Sequence, residues 1–333
     1  NNTSPADAAV RPGNTALRYF DTYSNQLGFN LVELSLTYSR KEAALAVDLD
    51  FGQLADINAS LLEPSGRILV EEVSKNVGKA VLTYTPQAAP GLVIEAGKMA
   101  THVGLEMIKP KDNWNYSRAL LFGFGVPFWH VGLHVGYTIP SISTQASLYV
   151  YNGWGTLYDV NDAPTLGAQL KWSPNEKFSI IYNYIGGPEQ VNNNSNRLVV
   201  HDVNFTWSLI PDLTLAADAI YGYEDGVTAL SSSGRASWTA IEALLRWQVN
   251  QRLALTPRFE IFHDTHAYRF GGGVPDTIYS ATLTSGYLLT DGLDMRLEYR
   301  LDKSTLDARF PKGAGGGTSN SQSTVTWAVL YSI

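Results

Sequence analysis

Cysteine is missing from all 333 residues, which excludes a disulfide framework, a thiolate metal site and a thiol nucleophile. No window approaches 18 consecutive apolar residues, so a transmembrane helix is excluded as well. Positive charge is in short supply: 24 Lys and Arg stand against 31 Asp and Glu, a net charge of -7. A nucleic-acid partner would need a basic face for its phosphates, and the balance argues against one. No basic n-region and apolar h-region open the chain, and Asn1-Asn2-Thr3-Ser4-Pro5 reads as a mature N-terminus left by signal cleavage. Methionine is scarce at 3 residues, whereas Tyr and Trp reach 18 and 8. Rings with an apolar body and a polar edge suit membrane–water boundaries and also carbohydrate clefts, so composition leaves both open.

Periodicity narrows the choice. Most segments alternate apolar and polar residues with period two, the mark of strands with one apolar and one wet face. Val131, Leu133, Val135, Tyr137 and Ile139 share one face, and His130, Gly132, His134, Gly136 and Thr138 share the other. Leu293, Met295, Leu297, Tyr299 and Leu301 oppose Asp294, Arg296, Glu298, Arg300 and Asp302. A soluble sandwich turns its apolar face inward, and an outer-membrane barrel turns it outward. Alternation does not distinguish them.

The connections do. Short turns near 39–42, 86–91, 140–143, 174–176, 210–212, 250–251 and 290–292 alternate with long polar connections near 52–76, 101–129, 154–164, 186–196, 224–236, 265–276 and 303–322. Short periplasmic turns and long extracellular loops are the pattern of transmembrane barrels. Strands are expected at about 16–24, 28–39, 43–51, 77–86, 92–100, 130–139, 144–153, 165–173, 177–185, 197–208, 213–223, 237–248, 253–264, 277–288, 293–302 and 323–333. That gives about 16 antiparallel strands in one all-β domain spanning 1–333, with a periplasmic segment over 1–15. Each strand descending to a short turn also ends in an aromatic on its apolar face: Tyr38, Tyr84, Tyr137, Trp172, Trp207, Trp247, Tyr287 and Tyr331. A ring at constant depth is what a lipid interface selects. A general strand preference for aromatics would scatter them. A β-propeller, which needs four strands per period of this size, does not fit the two found.

The connection 101–129 carries the most chemistry. It is too apolar in its second half to sit in water, so it is expected to fold into the lumen and narrow it. Lys109, Lys111 and Arg118 would then face Glu106 and Asp112 near a constriction, with His130 and His134 on the adjoining wall. Lumen-facing Glu242, Arg246, Arg258, Glu260, Arg296, Glu298 and Arg300 read either as a transverse field that orients solutes or as a salt-bridge lattice that stiffens the wall. Lys98 falls on the lipid side unless a bulge intervenes. Ser143, Ser147 and Ser179 lie on faces near the two histidines, but no compact motif ties a nucleophile to a base. Asp48 and Asp50 read as solvated wall positions rather than a calcium site. Gly271-Gly272-Gly273 and Gly315-Gly316-Gly317 have no following helix to form a phosphate cradle.

Asn113-Trp114-Asn115-Tyr116-Ser117-Arg118-Ala119-Leu120-Leu121-Phe122, Pro127-Phe128-Trp129-His130-Val131-Gly132 and Asn152-Gly153-Trp154 resemble the OmpL-like family of outer-membrane β-barrel porins. Gly97-Lys98-Met99 and Gly104-Leu105-Glu106 fit the same pattern. The last strand ends in Ile333, where barrel assembly signals usually carry Phe. The resemblance implies a porin fold and solute passage, with no catalytic residues to carry over. A barrel of about sixteen strands is also too wide for wall side chains to fill.

The expected function is passive diffusion of small hydrophilic solutes and ions across a Gram-negative outer membrane, without cofactor or metal. The expected partners are membrane lipid and a homotrimer. The rival readings are an outer-membrane lipid hydrolase and a secreted carbohydrate-binding β-protein. Lys98, Lys109, Lys111 and Arg118 against Glu106 and Asp112 point to a mild anion preference.

Overall fold

The computed structural model describes residues 15–23, 25–60, 74–312 and 317–333. All but the last residue of the expected segment 1–15, the middle of the 52–76 connection and Gly315-Gly316 therefore lie outside the described residues. The first strands are β1 (Val32–Arg40), β2 (Ala43–Phe51), β3 (Val77–Tyr84), β4 (Leu92–Ala100) and β5 (Trp129–Ile139). Next come β6 (Thr144–Tyr151), β7 (Thr165–Asn175), β8 (Phe178–Pro188), β9 (Arg197–Ile210) and β10 (Leu213–Asp225). The series continues with β11 (Arg235–Gln248), β12 (Leu253–Asp264), β13 (Asp276–Thr290) and β14 (Leu293–Ser304). A two-residue ribbon, β15 (Phe310–Pro311) with β16 (Thr318–Ser319), precedes the last strand, β17 (Ser321–Tyr331). β1–β14 and β17 form one antiparallel sheet of 15 strands in sequence order. The 52–76 connection carries a short helix, α1 (Gln53–Ser60), where only polar loop is expected.

Among the described residues fifteen of the sixteen expected strands are present, and the one near 16–24 is not. Leu17, Arg18, Tyr19 and Phe20 are all buried in succession, whereas a strand buries alternate residues on one face. The segment instead lies against the charged face of the sheet at its seam. Arg18 pairs with Asp302 on β14 at 2.8 Å, and the Gln322 side chain on β17 donates to Ala16 O at 2.7 Å. Phe20 packs at a tilt against Phe122 and Phe128, and Asn30, just before β1, donates to the Tyr116 hydroxyl at 3.2 Å. Among the described residues no ladder joins β1 to β17.

The faces are inverted relative to a soluble protein. Phe259 is 63% exposed while its neighbour Arg258 is fully buried, and Leu297 is 54% exposed while Glu298 is 2%. A water-soluble sandwich would place these the other way round. All eight aromatics that end the descending strands are exposed on that apolar face. The turns are tight: Gly292 has φ +76°, and a Cβ there would stand 2.1 Å from Ser332 O. The connection 101–128 touches both ends of the sheet, reaching Asp48 on β2 through Lys109 and Arg300 on β14 through Arg118 O. The sheet therefore curves around it.

Candidate functional site

Register aligns the inward charges of neighbouring strands into rows. One row runs Asn204, Asp218, Glu242, Glu260, Ser280, Asp302 from β9 to β14. The next carries Arg258, Thr282 and Arg300, and the one below it Thr256, Thr284 and Glu298. Side chains opposite one another on one face lie within reach, so these rows present a grid of carboxylates and guanidiniums to whatever packs there.

What packs there is the loop backbone. Arg258 donates to Glu106 Oε1 at 2.6 Å and to Ser117 O at 2.6 Å. Arg300 donates to Arg118 O at 2.6 Å, and Arg296 to Pro110 O at 2.9 Å. The carboxylates take the complementary groups. Glu298 accepts from the amides of Tyr116 and Ser117 at 2.7 and 3.1 Å. Glu260 accepts from Leu120 N at 2.5 Å, and Asp218 from Leu105 N at 2.8 Å. Asn115 bonds Thr284 at 2.7 Å. A loop without secondary structure has unpaired amides and carbonyls that must find partners once buried. Here charged side chains supply them, and such bonds are stronger than neutral ones. A π-helical turn, Leu121–Gly125, then buries its apolar side chains under β10 and β11, and Trp238 donates to Gly125 O at 3.2 Å.

Glu106, Arg258, Glu260, Arg296, Glu298 and Arg300 thus come together in one buried loop–wall interface. Glu242 is buried in the same row, between Asp218 and Glu260. Burial pushes the Glu106 carboxyl up from its ordinary range against the pull of Arg258. Arg246 stands apart, half-buried, bonded to Gln248 at 3.4 Å. Among the described residues Arg118 meets no carboxylate at hydrogen-bond distance: its guanidinium donates to the carbonyls of Tyr116, Met107 and Ile108 and lies over the Phe20 ring. Burial lowers it to about 10. Nor does Lys109 face Glu106. Its ammonium sits between Asp48, at 2.6 Å, and Glu33. Desolvation opposes its charge, but the two carboxylates outweigh that and raise its pKa. Lys111 pairs with Asp112 at 3.0 Å and stays 45% exposed.

The opposite wall is more open. β1–β4 present Glu33, Asp48, Lys79 and Glu95, and β5 adds His134, whose Nδ1 is 2.8 Å from Glu95 Oε2. Glu95 keeps 30% of its side chain exposed. Three histidines and two tyrosines form a ring stack there. His102 and His134 stack on Tyr149 at 4.1 and 4.5 Å, and His130 on Tyr151 at 4.0 Å. The alternation His130, Gly132, His134, Gly136 makes room for it, since a Cβ at Gly132 would meet Tyr151 and one at Gly136 would meet His134. His102 ties the start of the loop to this stack through Tyr151 and Tyr184 O, both at 3.0 Å. Burial, partly offset by the bond to Tyr184 O, lowers it to about 4. His130 is buried, with Gly153 O and Thr101 Oγ1 as partners.

Lys98 is buried, with its ammonium 4.2 Å above the Trp129 ring. Register keeps Lys98 on the face of Val131, but it is buried rather than open to lipid, and its ammonium lies 3.5 Å from Ser74 O. Sequence reasoning missed His102, Asp202 and Asp218. The two acids had a signal, each standing opposite the apolar face of its strand. His102 had none, because a loop carries no period.

A family profile described as beta-barrel porin-2, OmpL-like, matches residues 2–333. None of the curated proteins matches. Among solved structures, the outer membrane channel DcaP of Acinetobacter baumannii is similar with a TM-score of 0.59 at 12% identity, over 96% of this chain and 93% of that one. The trimer form of in-vitro folded OmpT of Vibrio cholerae gives 0.57 at 12%, over 91% of each chain. The anion-selective porin from Comamonas acidovorans gives 0.58 at 11%, over 92% and 90%. At these identities the likeness speaks to the fold, an outer-membrane β-barrel.

Proposed function

The chain belongs to the OmpL-like β-barrel porin family and is an outer-membrane porin; we propose that it passes small hydrophilic solutes and ions through the space left between its docked loop and the β1–β5 wall. The observation that carries this reading is the division of inward charge. Charges under the loop are consumed in holding it, while Glu33, Asp48, Lys79, Glu95, Lys109, Lys111 and Asp112 remain on the open side. These make the constriction in this reading, with His134 beside them. Four carboxylates against three ammonium groups favour cations weakly. The anion preference expected from sequence is not proposed, because Lys98 and Arg118 are buried and Lys109 is already paired.

The single barrel domain of 1–333 and a homotrimer are part of the same proposal; similarity to the trimer form of OmpT of Vibrio cholerae supports the assembly. No chemical step is required. The hydrolase reading lacks its central contact, since among the described residues His134 Nε2 and Ser147 Oγ are not hydrogen-bonded to each other. The test is conductance of the purified protein in a planar bilayer under a salt gradient. Stepwise insertions with a small reversal potential of cation-selective sign are expected. Clean insertion without conductance would overturn the open-channel reading.

A further inference from the structure

Residues 15–22 touch both edges of the sheet and the loop between them. Their own ends meet, since Thr15 N donates to Thr22 O at 3.0 Å and Thr15 Oγ1 to Asp21 O at 2.6 Å. The segment is thus a closed knot rather than a strand. On one edge, Arg18 Nη2 bonds Asp302 of β14 at 2.8 Å. Beside it the Gln322 side chain of β17 bonds both Ala16 N, at 3.2 Å, and Ala16 O, at 2.7 Å. On the other edge, Asn30 donates to Phe20 O at 3.3 Å, and Gln53 of α1 to Thr22 Oγ1 at 3.0 Å. No ladder joins β1 to β17 among the described residues, so the knot spans the seam.

Its apolar side faces the loop. Tyr19 meets Phe124 and Phe128 edge-on, each at 5.2 Å, and Phe20 lies at a tilt against Phe122 and Phe128. Arg118 sits over the Phe20 ring at 4.6 Å. Wall contacts are polar and loop contacts are aromatic, so the knot and this end of the loop pack as one apolar body. Docking carries two costs. Leu17 takes a left-handed φ of +52°, which residues with a Cβ avoid. The buried Tyr19 hydroxyl has no partner among the described residues, an unmet demand that water would satisfy. The fastening works against both, and its charge-assisted bond is the one from Arg18 to Asp302. Asp302 also holds Arg300 at 2.8 Å and Gln322 at 3.0 Å, so loss of Arg18 leaves no orphan carboxylate on the wall.

We propose that residues 15–22 are a detachable clasp, with Arg18 as the positioning residue that keeps the constriction loop seated and the seam shut. Undocking carries the Phe122, Phe124 and Phe128 end of the loop with it and widens the water path. The conductance readout rests on the channel reading, but the attachment of the clasp does not.

The test uses the full-length protein in planar bilayers and in lipid vesicles. R18Q removes the charged anchor, and R18K keeps it. R18Q is expected to add a second, larger conductance level that R18K lacks. Leu17 is buried, so an L17C parent should label slowly with a water-soluble maleimide. R18Q in that parent should speed labelling about tenfold, as a hydrogen bond to a charged group is lost, and R18K should not. A merely structural anchor would lower thermal stability without adding a defined level. A second measurement bridges A16C/Q322C with a cleavable bis-thiosulfonate. Bridging should silence transient larger openings, and reduction should restore them. R18Q with the levels and labelling of its parent would overturn the proposal. So would faster labelling with unchanged levels in a protein that conducts. If R18Q does not insert, openings unchanged by bridging and reduction overturn it as well. Faster labelling in R18Q of a protein that never conducts would count against the channel reading alone.

Discussion

Two stretches of the same wall use charge in opposite ways. Under the loop, β10–β14 bury Asp218, Glu242, Arg258, Glu260, Glu298 and Arg300, most of them bonded to the backbone of 105–120. Across from them, β1–β4 keep Glu33, Asp48, Lys79 and Glu95 partly solvated. Both stretches have the same alternation and similar composition. What separates them is whether an irregular segment docks on them. Charge that meets unpaired amides and carbonyls becomes structural, and charge left facing the gap stays partly solvated; in the proposed channel it acts on ions.

The comparison breaks most severely at Arg258. Arg258→Ala leaves Glu106 buried without its guanidinium, leaves Glu260 with Arg300 alone, and strips Ser117 O of its donor. A loss of about 3–5 kcal/mol of stability is expected, as for a broken buried pair, together with noisier and larger single-channel conductance. Thermal unfolding in detergent and bilayer recording check both.

Acid attacks the same interface through His102. Its docked pKa is about 4 against 6.5 when free, so the undocked loop binds more protons between those values. Docking is therefore unaffected above pH 6.5, weakens steadily as pH falls toward 4, and loses nothing further below. Conductance noise should rise over that window in the wild type and lose its pH dependence in His102→Gln.

On the open wall the effects move to selectivity. Lys109→Gln frees Glu33 and Asp48, so the reversal potential should shift clearly toward cations, with conductance changed by less than twofold. Lys111→Gln, at an exposed pair, should shift it less and alter stability by less than about 0.5 kcal/mol.

The strands were legible because period-two alternation and alternating loop lengths are properties of consecutive residues. So was the aromatic ring at the short-turn end, which needed only position relative to each turn. The segment 16–24 misled because Arg18, Tyr19 and Thr22 imitate a strand, while their burial depends on Asp302, Phe124 and Phe128 far along the chain. Arg118 misled for a similar reason: its partners are carbonyls of its own loop, and backbone groups leave no trace in a charge count. The row of Asp218, Glu242 and Glu260 required cross-strand register, which the sequence carries only through turn lengths.

The absence of cysteine makes the division between the two walls directly measurable. Thr83→Cys on β3, which sits beside Glu95, and Thr282→Cys on β13, buried under the loop near Arg258, can each be exposed to a small charged thiol reagent during bilayer recording. Thr83→Cys should react within the recording and reduce conductance, and Thr282→Cys should stay silent. Equal reaction at both positions would contradict a docked loop with the water path running along β1–β5.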